Sequence, residues 1–188
     1  MRPKRRERYA TKVSGAKTMP ISIATINFRH EVNVAYVVRA AACFGANEVC
    51  VIGHLPKRRL INELSGSMYD YVSVRQFKSP SGFLEYARAD NTILISAELP
   101  DDCAGKKSRN FFDYKFDFSR KYCIIVGNES YGVPVEISAH SDLVYVPMMG
   151  VGYCLNTAQT ANILLYEASK QYCATKEKSW DVGMGHVC

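Results

Sequence analysis

The strongest constraint on the fold of this 188-residue chain is an alternation of short, almost wholly apolar runs with amphipathic stretches. ISIATIN (21–27), EVCVIG (48–53), NTILISAEL (91–99), KYCIIVGNE (121–129) and LVYVPM (143–148) contain few polar positions, as expected of strands covered on both faces. YVSVRQF (71–77) alternates instead and reads as a less covered strand. Between them, Val34, Val37, Val38, Ala41 and Phe44 recur at helical steps, and Gly45 follows where a left-handed cap would sit. SPSGFLEYARADN (79–91) opens with capping residues, and a last helix over about 156–172 places Ala158, Ala161, Leu165 and Ala168 on one face. Parallel strands need crossover connections, which the helices supply. The pattern therefore predicts an α/β fold, a mostly parallel sheet flanked by helices.

Charge divides the chain unevenly. Residues 1–20 carry seven bases and one acid, whereas the remainder carries 17 of each, so the formal net charge of +6 belongs to an N-terminal arm. Three segments are expected: a basic arm over 1–18, one domain over 19–175 and a loose tail over 176–188. No apolar run approaches the roughly 18–20 residues that span a bilayer, so no membrane role is expected. The seven cysteines form no Cys-x-x-Cys pair, and the four histidines do not cluster beside them, so no metal site is expected. Cys50 and Cys123 lie in apolar runs and read as reduced, buried thiols. A cytoplasmic setting fits, or an organelle reached through the basic N-terminus.

Open parallel sheets carry their ligand sites at the carboxyl ends of strands. Three such ends hold suggestive polar residues. In NFRHEVNVAYVVRAAACFG (27–45), Asn33 opens a helix and Arg39 follows six residues later, roughly 9 Å along the axis. In IIVGNESYGVPVEI (124–137), Gly127 permits close backbone approach, Gly132 suits a positive φ, Pro134 suits the first turn of a short helix, and Glu129 is held at the junction. In VPMMGVGYCLNTAQTANILLYEA (146–168), a loop flexed by Gly150 and Gly152 leads to Asn156. That loop offers backbone groups to a flat heterocycle, with Met148, Met149 and Leu155 as apolar walls. Asn33 and Asn156 also read as simple helix caps, and Arg39 as a solvated charge. The glycine spacing matches neither a Walker loop nor the dinucleotide fingerprint.

In this order the three segments resemble the SpoU/TrmH ribose 2′-O-methyltransferases of the SPOUT superfamily. Asn33, Arg39, Phe44 and Gly45 match the family's first motif; Gly127, Glu129 and Gly132 match its second; Val146, Pro147, Met148, Leu155 and Asn156 match its third. The run LSGSMYDYVSV (64–74) resembles the Ser-Gly-Ser segment between the first two. The likeness spans about residues 21–170. Two features depart from it: Cys154 stands where the family usually has serine, and Glu31–Val32 precede Asn33 in place of a small residue with Pro-His or Pro-Asn.

The resemblance implies a C-terminal trefoil knot over about 124–160, a homodimer, and methyl transfer from S-adenosylmethionine to a ribose 2′-hydroxyl of tRNA or rRNA. It implies Gly127, Val146, Met148, Leu155 and Ser96 as cofactor contacts. It also implies catalytic roles for Arg39, Asn33, Glu129, Asn156 and Cys154. Arg39 is physically better suited to hold a phosphate and a developing alkoxide than to act as base, because guanidinium stays protonated. RNA footing is expected from Arg5 and Arg6 of the arm, from Lys57, Arg58 and Arg59 after the second strand, and from Lys106, Lys107 and Arg109 in the polar loop. The alternative is a non-catalytic SPOUT-fold protein that binds RNA or assists ribosome assembly.

Overall fold

The structure, a computed structural model, describes residues 13–100 and 107–175. The expectations for Arg5, Arg6, Lys106, residues 1–12 of the arm and the tail 176–188 lie outside the described residues. In chain order the elements are β1 (Ile21–Ile26), α1 (Glu31–Phe44), β2 (Glu48–Ile52), α2 (Arg58–Leu64), β3 (Ser73–Phe77), α3 (Pro80–Ala89), β4 (Thr92–Ala97), β5 (Arg109–Asn110), β6 (Lys121–Val126), α4 (Val135–Ser138), β7 (Asp142–Tyr145) and α5 (Thr157–Thr175). Single 3-10 turns stand at Tyr69–Tyr71 and Phe111–Asp113.

The strands form one seven-stranded sheet in the order β3-β2-β1-β6-β4-β7-β5. Every pairing is parallel. The chain builds outward from β1 to β3, then crosses to the far side, so β1 and β6 meet at a reversal of strand order. That reversal is where an open parallel sheet leaves a crevice for ligands. Alternate strand residues fill two cores. Ile23, Val49, Val51, Ile95, Ile124 and Val126 pack with Val34, Val37 and Val38 of α1 and Ala161 and Leu165 of α5. Ala24, Ile26, Cys50, Ile52, Cys123 and Ile125 pack with Phe83 and Leu84 of α3 and Ile137 of α4. Burial on both faces explains why these strands read as continuous apolar runs.

Local signals account for the ends of the elements. Ser79 caps α3 by accepting the Gly82 N–H at 3.3 Å. Gly45 closes α1 at φ 71°, and its carbonyl accepts the Met19 N–H at 2.8 Å, which ties the start of the domain to the end of that helix. The helix begins at Glu31 rather than Asn33, so Asn33 lies inside the first turn and His30 takes the cap position. The Lys57–Arg59 run, read as a charge cluster, leads into α2, whose one buried residue is Ile61. A single buried side chain in seven residues leaves almost no periodicity to detect.

At the amino-terminal edge of the sheet, opposite the crevice, Glu48 is only 4% exposed. It accepts from Arg75 Nε and Tyr86 Oη at 2.9 Å each, and from Ser73 Oγ at 3.3 Å. Burial, then the hydrogen bond to Glu48, pushes the Tyr86 phenol up to about 12, so it remains a donor. This buried acid is fully partnered and serves to pin α3 and β3 to β2.

Candidate active site at the strand ends

The three polar segments converge beyond the carboxyl ends of β1 and β6. Asn33 of α1 is 4% exposed, and its side chain is committed on both sides. Its Nδ2 donates to Glu129 Oε1 at 2.7 Å, and its Oδ1 accepts from Asn156 Nδ2 at 3.3 Å. Glu129 Oε2 accepts the backbone N–H of Arg29 at 2.8 Å. Asn156 Oδ1 accepts the N–H of Ala158 at 2.9 Å and of Gln159 at 3.4 Å, which caps α5. The two readings of Asn156 are therefore compatible, because its oxygen caps the helix while its nitrogen joins the site. The network also fixes both amide orientations, since the carboxylate and the helix N–H groups each admit one sense of bond.

Glu129 is half-buried. Burial alone would push its carboxyl up, but donors outweigh it: the Arg29 N–H, its own N–H, the Asn33 amide and the His30 N–H hold it below the usual carboxylate value. It is thus an ionised acceptor at neutral pH and a poor proton acceptor for chemistry. Its stabilising contribution is present above the unfolded pKa and is lost as pH falls through the lower folded one.

The turn that carries Glu129 is tightly built. Asn128 and Gly132 exchange backbone hydrogen bonds of 3.0 Å each, and Gly132 sits at φ 67°. A Cβ on Gly127 would lie 2.3 Å from the Gly132 carbonyl carbon and 2.6 Å from the Val133 nitrogen, so only glycine permits this approach. Glu98, just beyond β4, accepts the Val133 N–H and stands 2.8 Å from where a Gly132 Cβ would be. Sequence reasoning missed Glu98, which lies outside the matched motifs. It also missed Arg29, whose contribution is a backbone N–H that carries no residue-specific signal.

Arg39 stands apart from this network. It is exposed, and its guanidinium lies against Gly66, where a Cβ would come within 2.8 Å of Nη1. Arg39 and the Ser65–Ser67 segment are therefore neighbours. Ser96, one residue before the end of β4, is fully buried and paired across to Ile125 and Leu143. Val146 and Leu155 are half-buried, while Met148 and Cys154 are exposed. Lys57 and Arg59 are exposed; Arg58 pairs with Asp70 at 2.5 Å and covers the Tyr69 ring at 5.4 Å. Lys107 and Arg109 are exposed, and Arg109 pairs with Val144 near the end of β7. The two basic runs thus flank the strand-end face from the β2 side and the β5 side.

The loop from Met148 to Leu155 has the chemistry expected of a cofactor cradle. Among the described residues it makes no backbone–backbone hydrogen bond, and Met149 and Val151 are fully exposed. Free backbone donors and acceptors next to apolar side chains suit a flat heterocycle with polar edges. Among the described residues, no helix is long and apolar enough to cross a membrane.

A profile of the SpoU rRNA Methylase family matches residues 20–166. The chain belongs to this family. Curated SpoU relatives include the tRNA (guanosine(18)-2′-O)-methyltransferase of Escherichia coli, 24% identical over 141 residues that cover 74% of this chain and 58% of that protein. A second is the 23S rRNA (uridine(2479)-2′-O)-methyltransferase of Streptomyces viridochromogenes, 29% identical over 150 residues, covering 74% of this chain and 48% of the relative. The chain thus spans about half the length of these relatives. The TrmH/SpoU tRNA modifying enzyme of A. aeolicus superposes with a TM-score of 0.72 at 20% identity, covering 91% of this chain and 85% of that one. The SpoU methyltransferase AviRb of Streptomyces viridochromogenes, in complex with AdoMet, superposes at 0.69 with 22% identity, covering 81% and 60%. These likenesses establish the α/β fold expected of the SpoU motifs.

Proposed function

We propose that this SpoU chain transfers a methyl group from S-adenosylmethionine to a ribose 2′-hydroxyl of structured RNA, either tRNA or rRNA. The carrying observation is the hydrogen-bonded chain Glu129–Asn33–Asn156, which joins one residue from each of the three motif segments. The methyltransferase names of the relatives support the same reading.

When bound, the cofactor supplies an electrophilic methyl group on a sulfonium. Val146, Met148 and Leu155 and the free backbone of the 148–155 loop would hold it. Gly127, matched in the second motif, would add a backbone contact. Glu129 does not take the hydroxyl proton, since its charge is held by donors. It fixes Asn33, which in turn fixes Asn156 and the start of α5. Arg39 supplies a permanent positive charge for a substrate phosphate and the developing alkoxide. Alignment of the hydroxyl with the methyl group is the larger contribution to rate. Lys57, Arg59, Lys107 and Arg109 offer phosphate contacts, which position RNA without reading its bases.

A homodimer and the trefoil knot are part of this proposal. The dimer is supported by an aromatic surface where α1 and α5 meet: Tyr36 and Tyr166 are about half exposed, and an open groove of ≈ 360 Å³ is lined by Phe44, Phe112, Ile163 and Tyr166. Such a patch marks an interaction surface.

Cys154 favours a second reading, a non-catalytic RNA-binding protein. A thiol donates a weaker hydrogen bond than a hydroxyl, so Cys154→Ser is expected to leave methyl transfer equal or raise it. A large loss in that variant would contradict the reading of the thiol as a weaker stand-in for a serine hydroxyl. Calorimetry with S-adenosylmethionine separates the two readings: saturable binding is expected, and its absence would leave only the RNA-binding role.

A further inference from the structure

We propose that Tyr131 is a stacking platform for a nucleobase of the bound RNA, seated on the same turn as Glu129. This rests on the RNA reading above and adds a residue that contacts substrate at that site.

Tyr131 is 58% exposed, and among the described residues its side chain makes no hydrogen bond or ring contact. Tyr36 on α1 and Tyr153 on the 148–155 loop are also exposed, whereas Tyr166 meets Phe44 edge-on at 5.8 Å and Phe112 lines the groove beside it. Tyr131 gives the fold nothing comparable. Its backbone, however, is among the most firmly held on this face. The Asn128–Gly132 bonds close the turn, the Ser130 N–H donates to Asn128 Oδ1 at 2.8 Å, and Glu98 holds the Val133 N–H. Glu129, two residues away, is clamped to Arg29 and Asn33. A rigid turn that projects a bare aromatic ring at the edge of a reaction site is pre-organised for stacking, because little entropy is lost on contact.

The occupant follows from the RNA reading. Structured RNA presents unstacked bases in its loops, bulges and ends, and proteins seat such bases on aromatic side chains. Every base offers such a face, so Tyr131 would orient the nucleotide without selecting its identity. The ring lies on the turn that holds Glu129, so the base it seats would belong to the target nucleotide or its immediate neighbour.

The test uses the full chain with RNA extracted from cells lacking this protein. Tyr131→Ala is expected to raise KM for RNA by roughly 5- to 150-fold, the range for loss of one stacked base. S-adenosylmethionine binding measured without RNA should stay unchanged, and Tyr131→Phe should restore KM to within about twofold of the parent, since the ring and not the hydroxyl stacks. A direct signature comes from Tyr131→Trp in a Trp180→Phe background, which removes the chain's only native tryptophan. RNA should quench its fluorescence. Wild-type methylation with an unmoved KM in Tyr131→Ala, or RNA binding without quenching, would overturn the platform. So would an equal loss of cofactor affinity in Tyr131→Ala without RNA. A wild-type chain that neither binds nor methylates RNA would instead overturn the functional reading itself.

Discussion

Replacing Glu129 with alanine is expected to reduce methyl transfer by about 100-fold or more, the scale on which misplaced reacting groups lose rate. The carboxylate accepts the Arg29 N–H and the Asn33 amide, and both donors would lose their partner. Asn33 is buried, so an unpaired amide there costs about 1–3 kcal/mol of stability. The loss propagates because Asn33 Oδ1 receives Asn156, which caps α5. Glu129→Gln keeps one acceptor oxygen and should fall between the two. The distinguishing readout is the pH–rate profile. If Glu129 positions rather than titrates, the Gln variant should be slower at every pH without a change in profile shape. Loss of an acid limb in that variant would make Glu129 the base instead. Thermal unfolding of the parent should also lose the Glu129 contribution as pH falls below the usual carboxylate value, and the alanine variant should lack that component.

Gly127→Ala is expected to be among the most damaging glycine-to-alanine changes in the described residues. The added carbon would meet backbone atoms of Gly132 and Val133 at 2.3–2.7 Å, and no side-chain rotation can relieve that. The turn must open, which separates Glu129 from Asn33 and disturbs the contact between Glu98 and Val133. Destabilisation of about 1–3 kcal/mol is expected from such overpacking, with activity lost beyond what stability explains. Gly150→Ala is the matched control: a Cβ there meets nothing within 4 Å, so stability should change by less than about 0.5 kcal/mol. Denaturant unfolding of both variants checks the pair, and equal stability would mean that the turn is looser than its geometry implies.

The sequence carried the sheet well, because strands buried on both faces are apolar along their whole length. It carried less of α2 and β5. The first buries one residue, and the second is the two-residue edge Arg109–Asn110, so neither leaves a periodic trace. At the site, Asn33, Glu129 and Asn156 were legible as motif residues, but their direct bonding was not. Partners 96 and 123 residues apart are joined only by the topology of β1 and β6 and the seating of α5. The same limit explains Arg39. Its spacing from Asn33 is readable along α1, but not that its guanidinium lies against Gly66. Glu98 and the Arg29 N–H act through backbone contacts, which residue identity does not advertise. Ser96 lies one residue before the end of β4 and is buried there, a placement that no local pattern in the chain announces.

The most direct measurement supplies the chain with S-adenosylmethionine carrying a labelled methyl group and RNA from cells lacking this protein, then digests the RNA to nucleosides. Label in a 2′-O-methylnucleoside, abolished by Glu129→Ala, is the predicted result. No transferred label, or label on a base atom rather than the ribose, would contradict it.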